Sequence, residues 1–478
     1  MRASPGEAGV DDARPLSAVM REPIHCPRST PLRAALETMQ ARRIGSILVT
    51  EDDAKPVGIL TLRDVVDRVV LREGALDRPV ETAMSGPLHV LPPHATLYEA
   101  ALLMLAKGIR HIPVVESGRL GGIVSEKDLF ALQPPSMRRL AAAIRGATEV
   151  ECLVELAGEL RAHARELLVR GTAAEPLTSA IASLNDMLAQ RVVELERSSL
   201  PPSSPAFCWL AFGSEGRREQ TFATDQDNGI VFADGADAHG ARAELLLYAR
   251  RVNDTLARCG YALCKGLVMA SNPEWCASLA EWQRRFAAWI DSGDPQALLK
   301  ASIFFDMRPV HGARELADAL RAFVFERVAR SQRFLHQMAA NAVRNRVPLG
   351  VLGNFRTSGS GREAHTLDLK LNGTAIFADA ARVYGLAAAV PHTSTCDRLR
   401  GFGRHARLDP LEIEAWIEGF LFLQVLRLRT QNAQADANEP AGNRIQPERL
   451  NAIEKHILRE ALRQARSLQT RLRMDYRL

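Results

Sequence analysis

Features that mark several common classes of protein are missing from this 478-residue chain. Its seven cysteines are scattered and include no Cys-x-x-Cys pair, which argues against a structural zinc site and a disulfide framework. No stretch approaches about 18 consecutive apolar residues, so we expect no transmembrane helix. The N-terminal residues are polar and lack the apolar core of a signal peptide, and we therefore expect a cytoplasmic protein.

Aromatic residues are also few, at 5%, and the net charge is only +5. Residues 441–478 carry nine Lys/Arg and four Asp/Glu, which accounts for all of this excess. A basic segment can contact nucleic acid or an acidic partner, but the interleaved aromatic side chains of single-strand binders are missing here. We interpret the segment as a solvated helix face and expect no nucleic-acid binding.

The chain does have the composition of a globular protein, with 46% hydrophobic and 24% charged residues and a length that suits about three domains. Its first part contains an internal repeat, because Gly58–Asp64 recurs in similar form as Gly122–Asp128. In each copy an amphipathic helix and two apolar strands precede a hydroxyl residue, Thr61 or Ser125, that can cap a second helix.

This repeat resembles a tandem pair of CBS domains, an α+β module, over about residues 15–133. The resemblance implies that Thr61, Asp64, Ser125 and Asp128 bind the phosphate and ribose of an adenosine nucleotide, AMP or ATP, at one of two clefts. A helix N-terminus suits a phosphate group. A Ser/Thr-x-x-Asp sequence is also an ordinary capping box, so a purely structural role fits the same residues.

A helical connector is predicted over residues 137–200. Leu177, Ile181, Leu184 and Leu188 recur at three- and four-residue steps, and a proline-rich stretch follows. The connector either passes a signal from the repeat to the rest of the chain or forms a plain helical hairpin, and the pattern does not distinguish the two.

Two acidic residues, Asp225 and Asp227, lie just before a short apolar segment, residues 230–232. Alternate residues of a strand point to the same face, so the two carboxylates are expected side by side. Like charges so close are costly unless a cation neutralises them. Mg²⁺, which is commonly bound by carboxylates together with nucleotide phosphates, fits that need.

The residues before this pair would complete a phosphate site. An apolar strand over residues 207–212 ends at Gly213, which lets the backbone come close to a phosphate. Ser214 can donate its N–H and its hydroxyl, and Arg217 or Arg218 can supply bidentate contacts to phosphate oxygens.

The combination of Gly213-Ser214-x-x-Arg217 with Asp225-x-Asp227 resembles the nucleotidyltransferase superfamily of DNA polymerase β type. The resemblance implies an α/β domain with a mixed sheet over residues 205–312, in which the two aspartates hold Mg²⁺ and a later carboxylate completes the site.

Asp306 is the candidate for that third carboxylate, because it follows the apolar residues 303–305, which are expected to form a strand. It could serve as a metal ligand and as the base that activates the acceptor. The alternative is a strand-end aspartate paired with Arg308.

The longer motifs Gly-Ser-Glu-Gly-Arg-x-Glu-Gln and Thr-Asp-Gln-Asp-Asn resemble bacterial proteins that join CBS domains to a nucleotidyltransferase and a C-terminal substrate-binding domain. Residues 315–478 are expected to form that last domain as a helical bundle. The best understood relatives of this family are the PII uridylyltransferases and the glutamine-synthetase adenylyltransferases, which modify a protein tyrosine.

The resemblance therefore implies transfer of a nucleoside monophosphate from an NTP to an acceptor, which we expect to be a protein, under control of an adenosine nucleotide. A non-enzymatic nucleotide sensor and a small-molecule nucleotidyltransferase are the alternatives. We also expect a homodimer formed through the CBS pair or the connector helices.

Overall fold

The computed structural model describes residues 15–42, 44–51, 55–70, 75–126, 135–235, 237–292, 294, 298–299, 301–350, 353–357 and 364–478. The chain divides into two units, Met1–Arg139 and Leu140–Leu478. None of the described helices is long and apolar enough to cross a bilayer.

In the first unit, both copies of the repeat fold into a helix followed by an antiparallel strand pair. Ile47 pairs with Leu60 in the first copy, and Ile112 pairs with Val124 in the second. Each hairpin has a bulge at the equivalent place, after Val49 and after Val114, as expected of a true structural repeat. The elements are β1 (His25–Pro27), α1 (Leu32–Ala41), β2 (Ser46–Glu51), β3 (Lys55–Thr61), α2 (Leu62–Val65), α3 (Leu97–Lys107), β4 (His111–Glu116) and β5 (Arg119–Ser125).

The predicted connector is helical, and from Leu140 onward it belongs to the second unit. It consists of α4 (Pro135–Gly146), α5 (Val150–Val169) and α6 (Ala174–Glu196). The leucine and isoleucine residues that recur every three or four positions in α6 are buried. The polar residues Ser183, Asn185 and Asp186 of this helix are buried as well.

A four-stranded mixed sheet follows, in the order β8-β7-β6-β9. The strands are β6 (Phe207–Ala211), β7 (Asn228–Phe232), β8 (Cys276–Ser278) and β9 (Arg308–Gly312). β7 is antiparallel to β6 and parallel to β8, which confirms the predicted mixed sheet. The helices around it are the single turn α7 (Gly213–Gly216), α8 (Ala238–Arg258) and α9 (Leu279–Ser292).

The predicted apolar strand ending at Asp306 is wrong, because Ser302–Asp306 is a 3-10 helix. Phe304 and its neighbour Phe305 are both buried in the same core cluster, and the rings of both pack near Trp289. A strand would have turned the two rings to opposite faces of a sheet, whereas a helical turn lets both enter one core.

The C-terminal part is a helical bundle, as expected, and shares a hydrophobic core with the sheet. Phe212 and Trp282 belong to the same buried cluster as Phe377 and Trp416. The bundle comprises α10 (Arg314–Ala329), α11 (Gln332–Ala342), α12 (Ala375–Ala387), α13 (Thr395–Ala406), α14 (Pro410–Asp436) and α15 (Ala452–Tyr476), with a small pair of strands, β10 (Leu367–Asp368) and β11 (Arg444–Ile445).

Candidate functional site

The two aspartates of the Asp225-x-Asp227 motif lie where β7 begins, beside the end of β6. The carbonyl of Asp227 accepts a hydrogen bond of 2.8 Å from the amide of Phe212, the last residue before α7. On the other side, Asp225 bridges to Ala262 in the loop after α8. The antiparallel pairing of β6 and β7 thus brings the Gly-Ser motif and the acidic motif to one edge of the sheet.

The carboxylates of Asp225 and Asp227, here called the carboxylate pair, are close together and half-buried. One oxygen of each, together with the Sγ of buried Cys264, forms a group in which all atoms lie within 4.8 Å of one another. The Cys264 thiol donates to Oδ1 of Asp227 at 3.2 Å. The cysteine spacing gave no sign of this contact, since Cys264 lies 37 residues further along the chain.

The charges around the pair are poorly balanced. Burial, with the added repulsion of Asp225, raises the pKa of Asp227 to about 6. The hydrogen bond from Cys264 and the positive charges of Lys370 and Arg217 lower that pKa, but not enough to cancel the rise. Burial also raises the pKa of Glu215, to about 8. Glu215 is therefore mainly uncharged at neutral pH, and the repulsion that a cation would relieve is the one between Asp225 and Asp227.

Gly213 is required by the carboxylate pair itself. Its φ is +53°, which disfavours residues with a Cβ, and a Cβ placed there would lie 2.7 Å from Oδ2 of Asp227. The neighbouring Ser214 is half-buried in the first turn of α7. Gly213 therefore borders the pair, whereas the predicted phosphate contacts of Gly213 and Ser214 stay predictions.

The predicted phosphate ligands Arg217 and Arg218 already have carboxylate partners. Arg217 donates from Nε to Glu219 at 2.7 Å and from Nη1 to Asp306 at 2.6 Å. The Nε of Arg218 lies 3.3 Å from the carboxylate of Asp186 on α6. Either arginine would have to leave these partners to bind a phosphate.

Asp306 does not join the carboxylate pair, contrary to prediction. It is fully buried, and its two oxygens accept hydrogen bonds from Arg217, Arg382 and Arg398. Burial alone would raise its pKa, but these three guanidinium groups hold the pKa of Asp306 well below its usual range. Since its oxygens are taken up by arginines, Asp306 is not placed to bind a metal ion or to accept a proton.

The alternative pairing of Asp306 with Arg308 is also not observed. Arg308 instead donates to Asp186 on α6 at 2.6 Å and to the carbonyls of Glu215 and Gly216. Asp306 therefore ties α12 and α13 of the bundle to the sheet domain, and Arg308 ties the connector helix to α7.

A buried network of amides supports the carboxylate pair and was missed by the sequence reasoning. Gln226 and Asn228 alternate with the two aspartates, and both bond to Asn253 on α8. Asn228 also accepts from the amide of Ala270 at 2.8 Å. The Thr-Asp-Gln-Asp-Asn motif did contain the signal, because polar residues between the aspartates of a buried segment need partners.

In the first unit, Thr61 and Asp64 form a complete capping box on α2. Asp64 also accepts a hydrogen bond of 2.6 Å from Ser85. Thr61 and Asp64 line a cavity of about 570 Å³. Ser125 lines a second cavity, of about 350 Å³, whereas Asp128 lies outside the described residues.

Comparison with known families assigns most of the chain. The CBS domain matches residues 16–71 and 80–134. "Putative nucleotidyltransferase DUF294" matches residues 158–296, and its companion, "Putative nucleotidyltransferase substrate binding domain", matches residues 332–476. The chain belongs to the CBS-linked DUF294 nucleotidyltransferase family. The DUF294 match begins within α5, so the family domain includes much of the predicted connector.

Individual relatives cover much less of the chain. An uncharacterized protein of Methanopyrus kandleri is 34% identical over 110 residues, which is 22% of this chain and 56% of that protein. An uncharacterized 17.7 kDa protein of Acidianus ambivalens is 36% identical over 104 residues, which is 22% of this chain and 62% of that protein. The chain thus spans less than two thirds of the length of these relatives, and a bacterial origin stays a prediction.

The solved structures likewise match only about a quarter of this chain. A conserved protein from Pyrococcus horikoshii is 30% identical, with a TM-score of 0.24, over 25% of this chain and 92% of that chain. A CBS domain protein from Pyrobaculum aerophilum, solved with AMP, is 26% identical, with a TM-score of 0.23, over 24% of this chain and 89% of that chain.

The connector helix α6 directly contacts the segment between β6 and β7, which contains the Gly-Ser and Asp-x-Asp motifs. Ser183 accepts from Nη2 of Arg218 at 2.9 Å. Asn185 donates to Gln220 at 3.3 Å and accepts from the hydroxyl of Tyr261 at 2.7 Å. The polar residues of this helix face are therefore used to hold the segment between β6 and β7.

Proposed function

We propose that this protein transfers a nucleoside monophosphate from an NTP to an acceptor, in a Mg²⁺-dependent reaction, and that the acceptor is a protein. The observation that carries the proposal is the carboxylate pair beside Gly213 and Ser214 within a DUF294 domain. Transfer to a protein is the activity of the PII uridylyltransferases, which the signature motifs resemble.

The donor atoms around the pair fit magnesium in part. Two carboxylates on one edge of a sheet, with uncompensated charge, are hard oxygen ligands that suit Mg²⁺. The thiol of Cys264 is a soft donor and is not a magnesium ligand, so Asp225 and Asp227 would hold the ion without it. A bound Mg²⁺ would neutralise charge on the phosphate oxygens of the substrate.

The protein groups would act by position and charge. Asp227 must lose its proton to bind a cation, which its pKa of about 6 permits at neutral pH. Gly213 leaves room for the Asp227 carboxylate, and Ser214 can donate to a phosphate from the first turn of α7. Because Asp306 is not available as a base, catalysis would depend on alignment of the acceptor.

We further propose that an adenosine nucleotide, AMP or ATP, binds the cavity lined by Thr61 and Asp64 and regulates the transfer. Within the second unit, the contacts of α6 with Arg218 and Gln220 support a route by which a regulatory signal would reach the carboxylate pair. A change in the position of α6 would move the segment that leads to the carboxylate pair.

The expected homodimer is likewise a proposal. Helix α2 continues into a further helical turn, Val66–Val70. Along it, Leu62, Val66 and Val70 are 57%, 48% and 63% exposed and form an apolar stripe. A second copy of the same stripe would bury it. Sedimentation of wild type and Val66→Glu tests this, since the variant should shift toward monomer.

A labelling assay tests the main proposal. Full-length protein is incubated with Mg²⁺ and each α-labelled NTP, alone and with cell lysate, beside a variant carrying Asp225→Asn and Asp227→Asn. A labelled protein band that the variant fails to produce supports protein nucleotidylation and reveals the base. Equal labelling by the variant contradicts the proposal, and no labelling under any condition favours a non-enzymatic sensor or a small-molecule acceptor.

A further inference from the structure

Three polar side chains form a buried stripe on α14, a helix that is otherwise largely apolar where it is buried. Gln424, Arg427 and Gln431, here called the polar stripe, are spaced by three and four residues and share one helix face. Gln424 donates to the carbonyl of Glu219, and Gln431 accepts from the amide of Ala223. This face therefore lies against the segment that leads into the carboxylate pair.

Arg427, in the middle of the stripe, is a buried cation without a counter-charge in contact. Its side chain donates to Oδ1 of Asn443 at 3.0 Å and to Oε1 of Gln424 at 2.6 Å, with a longer contact of 3.4 Å to Thr374. In the part of the chain that the structure describes, Arg427 forms no ion pair and its Nη2 has no hydrogen-bond acceptor. Its residue exposure is only 6%.

Such a group is costly for the empty protein. A buried charge is normally paired, and an unpaired one is strongly destabilising. By contrast, the buried cations Arg217, Arg382 and Arg398 all share the carboxylate of Asp306. Burial and the charge of Arg217 lower the pKa of Arg427 to about 10, and the carboxylates of Asp368 and Glu219, which form no ion pair with Arg427 among the described residues, oppose that shift only in part. The group therefore stays positive at neutral pH.

A second cation lies on the same side of the bundle. Lys370 begins the helical turn Lys370–Thr374, whose last residue contacts Arg427. Lys370 is exposed, and its charge acts on the Asp227 carboxylate, whose pKa it lowers. Lys370 is thus close enough to Asp227 for their charges to interact, and Arg427 is joined to the turn that contains Lys370 through Thr374.

We propose that Arg427 and Lys370 bind the triphosphate of the NTP substrate. A guanidinium offers two parallel donors that match phosphate oxygens, and a triphosphate would supply the counter-charge that Arg427 lacks. This assignment rests on the proposed function for the identity of the ligand. It gives the substrate-binding domain the task that the sequence suggested for Arg217 and Arg218.

The test uses a ligand without a base, so that the unknown base preference does not matter. Magnesium tripolyphosphate is titrated by calorimetry into the full-length wild type, Arg427→Gln, Arg427→Lys and Lys370→Gln. Arg427→Gln should bind about tenfold more weakly or worse, Arg427→Lys should recover part of the loss, and Lys370→Gln should lose a few-fold. Arg429→Gln is the matched control and should bind as wild type, because Arg429 is exposed on the same helix and pairs with Glu454.

Thermal unfolding separates a binding role from a structural one. Without ligand, Arg427→Gln should unfold at the same temperature as wild type or higher, because an uncompensated buried charge is removed. Tripolyphosphate should raise the unfolding temperature of the wild type but not of this variant. A structural role would instead lower the unfolding temperature of the empty variant.

The proposal would be overturned if the wild type did not bind tripolyphosphate, or if Arg427→Gln bound it as tightly as the control Arg429→Gln. If Arg427→Gln does not fold, Lys370→Gln decides, and unchanged binding by that variant would overturn the proposal. Failure of nucleotidyl transfer would be a different outcome. Tripolyphosphate binding that depends on Arg427, without label transfer to any acceptor, would leave this site standing and refute the proposed function.

Discussion

Replacing Asp227 with asparagine should remove the proposed metal site and at the same time stabilise the empty protein. The reason is the unfavourable position of this carboxylate, which is half-buried beside Asp225. A rise in pKa from the ordinary 3.8 to about 6 corresponds to roughly 3 kcal/mol of free energy of unfolding. Water reaches part of the side chain, so we expect about 1–3 kcal/mol at pH 7.5.

The sign follows from proton binding. Between about pH 4 and pH 6, the folded protein keeps a proton on Asp227 that the unfolded chain has lost. The contribution of Asp227 to the free energy of unfolding is therefore present below pH 4 and is lost as the pH rises through 6. Asp227→Asn cannot titrate, so its stability should fall less over this interval than that of the wild type.

Urea denaturation at pH 4.5, 6 and 7.5, without metal, measures the effect. Asp254→Asn is the control, because Asp254 is an exposed carboxylate on α8 far in sequence from the motif, and the change should stay within about 0.5 kcal/mol. Added Mg²⁺ should stabilise the wild type but not Asp227→Asn. A variant that is less stable than wild type at pH 7.5, or that keeps the same pH dependence, would refute the reasoning.

Three further changes test other parts of the structure. Asp306→Asn should lower the free energy of unfolding by about 3–5 kcal/mol, because three buried guanidinium groups lose their shared carboxylate; a normal urea midpoint with lost transfer would restore a catalytic role. Gly213→Ala should weaken Mn²⁺ binding by about tenfold or more, since its Cβ would meet the Asp227 carboxylate at a positive φ; an unchanged Mn²⁺ titration would contradict this. Thr61→Val should weaken AMP binding by about tenfold in calorimetry, through loss of the hydroxyl; unaltered AMP affinity would place the ligand elsewhere.

Local patterns were sufficient for the elements that repeat or alternate. The equivalent segments around Thr61 and Ser125 predicted matching hairpins, and the structure has the same bulge in both. Period-two alternation placed Asp225 and Asp227 together, and the motif order brought them to Gly213 because β6 and β7 are neighbours in the sheet. These inferences need only short-range geometry.

The remaining features depend on contacts between distant segments. Cys264 reaches Asp227 from a loop, and Arg382 and Arg398 reach Asp306 from the bundle, without any spacing rule that joins them. The apolar run before Asp306 was misassigned because a short apolar segment has no periodicity that separates a strand from a helical turn.

The arginine cluster around Asp306 joins the helical bundle to the sheet domain. Asp306 belongs to the sheet domain, whereas Arg382 and Arg398 belong to α12 and α13, so these buried ion pairs fix the bundle against the sheet. Removing Arg382 and Arg398 would leave Asp306 buried without these partners, although the shared hydrophobic core would still hold the bundle against the sheet. In the proposed site, the empty protein holds negative charge at Asp227 and a cation without an ion pair at Arg427, each at a cost in stability. A metal–triphosphate complex carries both missing charges, so relief of these two costs would add to its binding energy and favour that ligand over free nucleoside.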